Sequence, residues 1–528
     1  MTLCFTLGEA ERRRPAGPTL RLETRAEYRE NGTVLLPGRG DGWVKEVRSS
    51  MKISQSGSPA LLLINPWIYD FAAYDLWVKP LGLLYLAGYL RHRGYHINLI
   101  DCLDRYHPGL PKFQGGRRPI VKEFGTGKFF KRKVIKPAAL QQVPYPYCCY
   151  GIPEEIFLGR LQECPRPEAV LVTSMMTYWY PGAFRAIELV KQEWPDVPVI
   201  LGGVYAMLCT EHAKACSGAD YVLTERNPSR ILRVLNELIA GQTAFTPPQA
   251  LQEEAAKKQA DSSVDELFQA KPAYDLYDHL DYAVILTSLG CPYRCTYCAS
   301  RKLYPQFYQR KPEAVFQDIL SLYEERSLRD FAFYDDALLV HFNSHLKPVL
   351  EQVLQHNLSC RFHTPNGLHA RYIDKDCAEL LFQAGFTTLR LSLETIDTNR
   401  QKTTGGKVTN EEFERAIETL KQTGFQGHAL GAYLFVGLPG QEFEEVEATI
   451  RYAHDLGVRV NLCEYSPIPG TQDWADLAQQ GLVDAQDDPL LHNNSVYLSA
   501  KGLCDSDDIQ RLKNIVRHQN RQLRTCKD

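Results

Sequence analysis

No run in this 528-residue sequence approaches the roughly 20 apolar residues a membrane-spanning helix needs; the longest candidates, such as residues 81–90, have core-helix length. An excess of charge is also missing. Lys and Arg number 60 against 63 Asp and Glu, a formal balance of −3 that gives no electrostatic basis for binding nucleic acid. No secretory signal opens the sequence, and its 15 cysteines are odd in number and scattered. A disulfide framework is therefore not expected; free thiols in a reducing cytoplasm are. Apolar periodicity is nearly absent from residues 1–57, which hold Arg12-Arg13-Arg14 and several glycines and prolines. They are expected to be a disordered tail, or to precede a true start at Met51. Glu9, Glu11, Glu23 and Glu27 argue against a transit peptide there.

What is present is an α/β pattern long enough for two or three domains. From 58 to 240, strands are expected at residues 61–64, 96–101, 169–174 and 197–201, with helices at 81–93, 181–193 and 229–239. Such alternation predicts a doubly wound, Rossmann-like parallel sheet. Its ligand would lie beyond the strand ends, at Asn65-Pro66, Asp101, Ser174 and Gly202. An insertion over 105–165, rich in Lys, Arg, Pro and Tyr, is expected to pack as a cap over those ends. Its Gly125-x-Gly127-Lys128 is not a phosphate loop, because Lys122 replaces the first glycine and Phe129 the magnesium-binding hydroxyl. The polar stretch 241–280 reads as a linker.

Alternation resumes over 281–475. Strands at 283–289, 330–334, 359–363, 388–393, 428–436 and 459–465 give six βα units, a partial (β/α)6 barrel. Residues 476–528 form a polar, helical extension whose segment 489–497 would either reach the open barrel face or cap its bottom.

Cys291, Cys295 and Cys298 follow the first of these strands in a CxxxCxxC spacing. A [4Fe–4S] cluster normally takes four cysteines; three leave one iron open to a substrate. The alternative is a zinc site completed by a distant ligand such as His363 or His369, although no second two-cysteine hook is present.

The spacing and its flanks resemble the radical S-adenosylmethionine (SAM) superfamily. The resemblance implies that the open iron chelates the methionine end of SAM, and that an electron from the cluster breaks a C–S bond to give a 5′-deoxyadenosyl radical. Tyr297, before the last cysteine, would then lie against the adenine. Four strand ends extend the resemblance: Tyr334-Asp335-Asp336, Ser392-Leu393-Glu394-Thr395, Gly437-Leu438-Pro439-Gly440 and Pro467-Ile468-Pro469-Gly470. It implies that Asp335 and Ser392 lie near the SAM amino and carboxylate groups. Glu394 would orient the same site or the ribose, and the stretch 434–437, ending at Gly437, would face the adenine. Only one of Asp335 and Asp336 can face inward, since side chains alternate along a strand.

The strand ends of the first domain resemble the cobalamin-binding domain that often precedes a radical SAM barrel. Ser174-Met175-Met176 and Gly202-Gly203 fall at that family's separation, beside Asp101. Asp104, His107 and Gly109 imitate its Asp-x-His-x-x-Gly signature with the wrong offsets, so a histidine ligand to cobalt is not expected. The resemblance implies methyl transfer from cobalamin to an unactivated carbon of an organic substrate, with a reductant such as flavodoxin or ferredoxin. Its rivals are a rearrangement or cyclisation with a cobalamin-free first domain, and a non-catalytic redox or corrinoid sensor.

Overall fold

The computed structural model describes residues 58–224, 227–240, 264–427, 429–500 and 506–525. The expected tail or late start (1–57) and residues 241–263 of the expected linker lie outside the described residues. Among the described residues no helix is long and apolar enough to cross a membrane.

Among the described residues, eight strands precede residue 224: β1 (Ala60–Asn65), β2 (Ile68–Asp70), β3 (His96–Asp101), β4 (Lys131–Lys133), β5 (Cys148–Tyr150), β6 (Ala169–Val172), β7 (Val199–Leu201) and β8 (Tyr221–Val222). Five form a sheet in the order β3-β1-β6-β7-β8, with every pair parallel. That order turns back on itself between β1 and β6, and α/β sheets place ligands beyond the strand ends at such a reversal. Leu61, Leu62, Leu63 and Ile64 are fully buried, as expected of a strand covered on both faces. The insertion adds β4 and β5 to β2 in the antiparallel sheet β2-β5-β4. It lies over the β1 end: Trp67 Nε1 donates to Ile152 O (2.5 Å), and Trp179 Nε1 to Asp70 Oδ2 (2.8 Å).

The second half contributes β9 (Tyr282–Ile285), β10 (Ser288–Leu289), β11 (Tyr308–Gln309), β12 (Asp330–Phe333), β13 (Arg361–His363), β14 (Phe386–Glu394), β15 (Leu430–Val436) and β16 (Arg459–Glu464). Six make an open sheet in the order β16-β15-β14-β13-β12-β9. Its neighbours are parallel throughout. Helices such as Pro312–Arg326, Leu346–Gln355 and Asn410–Thr423 intervene; the last starts at a capping box between Thr409 and Glu412. The edge strand β16 is closed by the final helix, Ser506–Thr525. There the Asn520 amide bonds both the N–H and the carbonyl of Val460, each at 2.9 Å. An edge strand's unpaired backbone groups are thus answered within the chain.

Residues 264–280 are not an extended linker. They form a helix (Val264–Gln269) and a 3-10 turn (Tyr274–Leu276). Tyr274 and Tyr277 are buried, and the Tyr274 hydroxyl exchanges two hydrogen bonds with the Val284 backbone. Burying two large aromatic rings outweighs the segment's polar composition. The extension segment around 489–497 packs onto the first domain: Asn493 Nδ2 donates to Asp70 Oδ1 (2.9 Å) and Tyr180 to Asp488 Oδ1 (2.9 Å).

Candidate active site

The cysteine loop leaves the sheet through β10 and returns through β11, and the antiparallel β10–β11 ladder clamps its base. Gly290 makes the turn out at φ +75°, where a Cβ would lie 2.8 Å from Gln306 O. The loop is gripped from two other segments: Thr296 N–H donates to Thr404 O (3.2 Å), and Asp473 N–H to Thr296 O (3.1 Å). Gly405 presses close enough that its Cβ would approach Cys295 Cα at 2.9 Å.

Cys291, Cys295 and Cys298 line one cavity. Burial pushes the Cys291 thiol up to about 11 and the Cys295 thiol up to about 12. Thiols so placed carry charge only beside a compensating cation, which is what the iron of a cluster supplies. The donor set fits a three-cysteine cluster. Of the distant ligands that the zinc alternative names, His369 lines the same cavity as the cysteines. His363 is engaged elsewhere, with Thr388 Oγ1 (3.0 Å) and Asp330 Oδ1 (3.1 Å).

Around the cysteines runs a charged relay. Glu394 accepts from Lys407 Nζ (2.8 Å) and from the Tyr297 hydroxyl. Burial alone would lower the Lys407 pKa, but Glu394 and then Cys295 hold it above its ordinary value. Glu394 has φ +70°, a left-handed conformation a non-glycine residue adopts at a cost and one that concentrates at functional sites. Tyr297 packs edge-on to Phe435, with centroids 5.0 Å apart.

Of the residues expected to meet SAM, Tyr297, Ser392 and Glu394 line the cavity. Asp335 does not. Its carboxylate turns to the Thr287 N–H (3.1 Å), the Thr287 hydroxyl (2.7 Å) and the Ser288 hydroxyl (2.6 Å). Asp336 lines the cavity instead and accepts from Ser300 Oγ (2.6 Å), as alternation along the strand requires. Gly437 is also displaced. Its N–H donates to Gln441 Oε1 (2.9 Å), and a Cβ there would strike Leu498 at 2.5 Å. Tyr433, Leu434 and Phe435 form that wall. Sequence reasoning missed Lys407, Asn366 and Cys463 and named His369 only as a zinc ligand; all four line the cavity. Asn366 and His369 follow β13, and treating that strand end like its neighbours would have found them.

Among the strand-end residues of the first domain, Asp101 is fully engaged, with Asn65 Nδ2 (2.6 Å), Leu103 N–H (2.9 Å) and the Tyr277 hydroxyl (2.6 Å). Ser174 Oγ donates to Gly202 O (2.7 Å). Gly203, at φ +95°, lies so close that a Cβ would sit 2.2 Å from Ser174 O. Met175, Met176, Gly202 and Met207 remain half-buried at the mouth of β6 and β7.

Residues 285–453 match the family model of the radical SAM superfamily. They are a radical SAM domain. Its host is an enzyme, related in sequence to the uncharacterized methyltransferase PH0819 of Pyrococcus horikoshii, with 23% identity over 58% of this chain and 69% of the relative. It is 21% identical to the anaerobic magnesium-protoporphyrin IX monomethyl ester cyclase of Rubrivivax gelatinosus, spanning 60% of this chain but only 58% of that one. In fold, the radical SAM methyltransferase TsrM of Kitasatospora setae, solved with cobalamin and a [4Fe–4S] cluster, superposes over 80% of this chain and 78% of its own. The TM-score is 0.55 and the identity 15%. Radical SAM domains use a [4Fe–4S] cluster and SAM, for which the cavity supplies three thiols and a polar wall.

Proposed function

We propose that this enzyme holds a [4Fe–4S] cluster on Cys291, Cys295 and Cys298, binds SAM against it, and transfers a methyl group through cobalamin to an unactivated carbon of an organic substrate. The observation that carries the reading is the single cavity joining those cysteines to Tyr297, Ser392, Glu394 and Lys407 at the carboxyl end of a parallel sheet. When bound, the cluster supplies the electron that cleaves SAM, and cobalamin supplies the methyl carrier. The chain's own residues orient and exclude water. Lys407 and Glu394 balance each other's charge at the cavity wall, and Tyr297 and Phe435 close its apolar side. Asp336 takes the role that the resemblance gave Asp335. The first domain is read as the cobalamin-binding type, with Met175, Met176 and Gly202 meeting the corrin and Ser174 and Gly203 shaping the loop. A cytoplasmic setting and a flavodoxin- or ferredoxin-type donor complete the reading.

The test is anaerobic reconstitution of the full chain. Wild type should assemble a four-iron cluster, release 5′-deoxyadenosine from SAM after dithionite reduction, and bind hydroxocobalamin; Cys291→Ala should lose the first two. SAM cleavage surviving that substitution would sink the mechanism.

A second reading, a radical SAM enzyme with a cobalamin-free first domain, is favoured by one observation. Trp67 and Trp179 already occupy the β1 side of the sheet reversal, and Asp101 already accepts from three groups of this chain. Intact SAM cleavage without hydroxocobalamin binding would select it.

A further inference from the structure

Within the insertion, residues 112–136 reverse the charge balance of the chain. They carry nine Lys and Arg against one acidic residue, Glu123, in a sequence whose formal net charge is −3. Arg132 pairs with Glu155 at 2.7 Å, whereas Lys112, Arg117, Arg118, Lys128 and Lys133 are exposed and pair with no carboxylate among the described residues. The same stretch exposes large apolar side chains: Phe113, Ile120, Val121 and Ile135, the last 94% exposed, with Phe382 alone elsewhere among the described residues. Apolar side chains left in water and rimmed by charge mark an interaction surface.

The stretch folds back on itself. An antiparallel bridge joins Val121 to Gly127, Lys128 N–H donates to Ile120 O (3.2 Å), and the Arg132 guanidinium lies 5.3 Å from the Phe113 ring centroid. The chain then enters β4, the outer strand of the β2-β5-β4 sheet. Val134 N–H donates to Tyr147 O (3.0 Å) and Gly151 N–H to Phe130 O (2.8 Å), so residues 130, 132 and 134 turn their backbone to β5. The N–H and C=O groups of Lys131 and Lys133 therefore point away from the sheet, and among the described residues no further strand pairs with that edge. Lys131, Lys133 and Ile135 alternate as exposed side chains along it. Beside them runs a groove lined by Ile135, Pro144, Tyr145 and Pro146.

Edge lysines by themselves protect a sheet against chance pairing. They repel basic strands and cost neutral ones desolvation, and an acidic strand turns both penalties into attraction. Edge protection alone does not account for Ile135, which offers such a strand an apolar contact. An anionic bilayer would match the charge and the apolar side chains, but only another strand completes an open backbone edge. We propose that β4 is a docking edge for an extended, acidic segment of a partner protein. The segment would pair its backbone with Lys131 and Lys133, set carboxylates against their ammonium groups, and place an apolar side chain in the groove at Ile135.

The probe is a peptide Val-Thr-Glu-Thr-Glu-Thr-Val carrying a neutral fluorophore, which presents Val, Glu, Glu, Val on one face in either chain direction. Full-length protein is titrated into it and read by fluorescence anisotropy, with amide hydrogen exchange followed over residues 128–136. Binding should slow exchange at the Lys131 and Lys133 amides. Lys131→Glu combined with Lys133→Glu should weaken it about tenfold or more, and the paired change to Gln by less. Ile135→Ser should weaken it about threefold or more. All three side chains are exposed, so these variants should keep the wild-type melting temperature. Methylating the peptide's backbone nitrogens keeps its charges but removes its N–H donors, and should abolish the protection. No binding, binding indifferent to N-methylation, or exchange unchanged at Lys131 and Lys133 overturns the proposal. So does binding to phosphatidylserine vesicles that the peptide cannot displace, which would assign the surface to a membrane.

Discussion

Asp335 and Asp336 are adjacent in sequence and opposite in fate. Asp335 lies at the centre of a buried relay: His345 Nε2 meets Thr287 Oγ1 at 2.9 Å, and Thr287 in turn donates to the carboxylate. Burial raises the Asp335 pKa to about 6, only partly offset by hydrogen bonds from Ser288 and Thr287. Because the folded value lies above the unfolded one, the stability this group adds is complete at pH below about 4 and is lost as pH rises through about 6. The melting-temperature gap between wild type and Asp335→Asn should therefore shrink from pH 4 to 6 and stay level above, in thermal melts across that range; a gap that widens with pH contradicts the assignment. Asp336→Asn should behave differently, leaving the melting temperature within a few degrees while slowing 5′-deoxyadenosine formation about tenfold or more.

At the scale of elements, glycines separate scaffold from site. Gly203 holds a left-handed backbone against Ser174, whereas a Cβ on Gly202 would meet nothing closer than 3.8 Å. Gly203→Ala should cost about 1–3 kcal/mol in chemical denaturation, the scale of a strained backbone conformation. Gly202→Ala should leave stability unchanged and weaken hydroxocobalamin binding, read by absorbance titration. Unchanged binding would remove Gly202 from the cobalamin surface. The elements themselves were legible. Strands expected at 96–101, 197–201, 330–334 and 459–465 appear within two residues of those bounds, because period-2 and period-3.6 apolar patterns are local properties. The segment 264–280 was not legible, since its packing depends on tyrosines meeting a distant strand rather than on any local pattern.

At the scale of the molecule, one segment joins the two sheets. Trp77, buried at φ +60°, stacks on His363 (4.5 Å) and donates to Phe124 O (3.0 Å), and its carbonyl accepts from the Tyr334 hydroxyl. Beside it, Asp75 accepts from Arg105 (2.6 Å) and from the Tyr282 hydroxyl (2.5 Å). Residues 75–77 thus pack against β9, β12 and β13 of the six-stranded sheet. Trp77→Ala should cost about 3–5 kcal/mol, as for other large aromatic truncations. It should also split a single unfolding transition into two in calorimetry; one undivided transition at unchanged temperature would show these contacts to be dispensable.

By itself the sequence determined the two βα alternations, the three-cysteine loop after the first barrel strand, and the strand ends where polar groups gather. These follow from spacing along the chain, which covalent neighbours and hydrophobic period set. Only the tertiary structure decided which of two adjacent carboxylates faces the cavity, because the phase of a strand is fixed by its neighbours' register. It also decided that Gly437 stands outside that cavity. Lys407 was brought to the cysteines from a loop that carries no period, whereas Asn366 and His369 follow the strand end of β13, where position along the chain could have announced them.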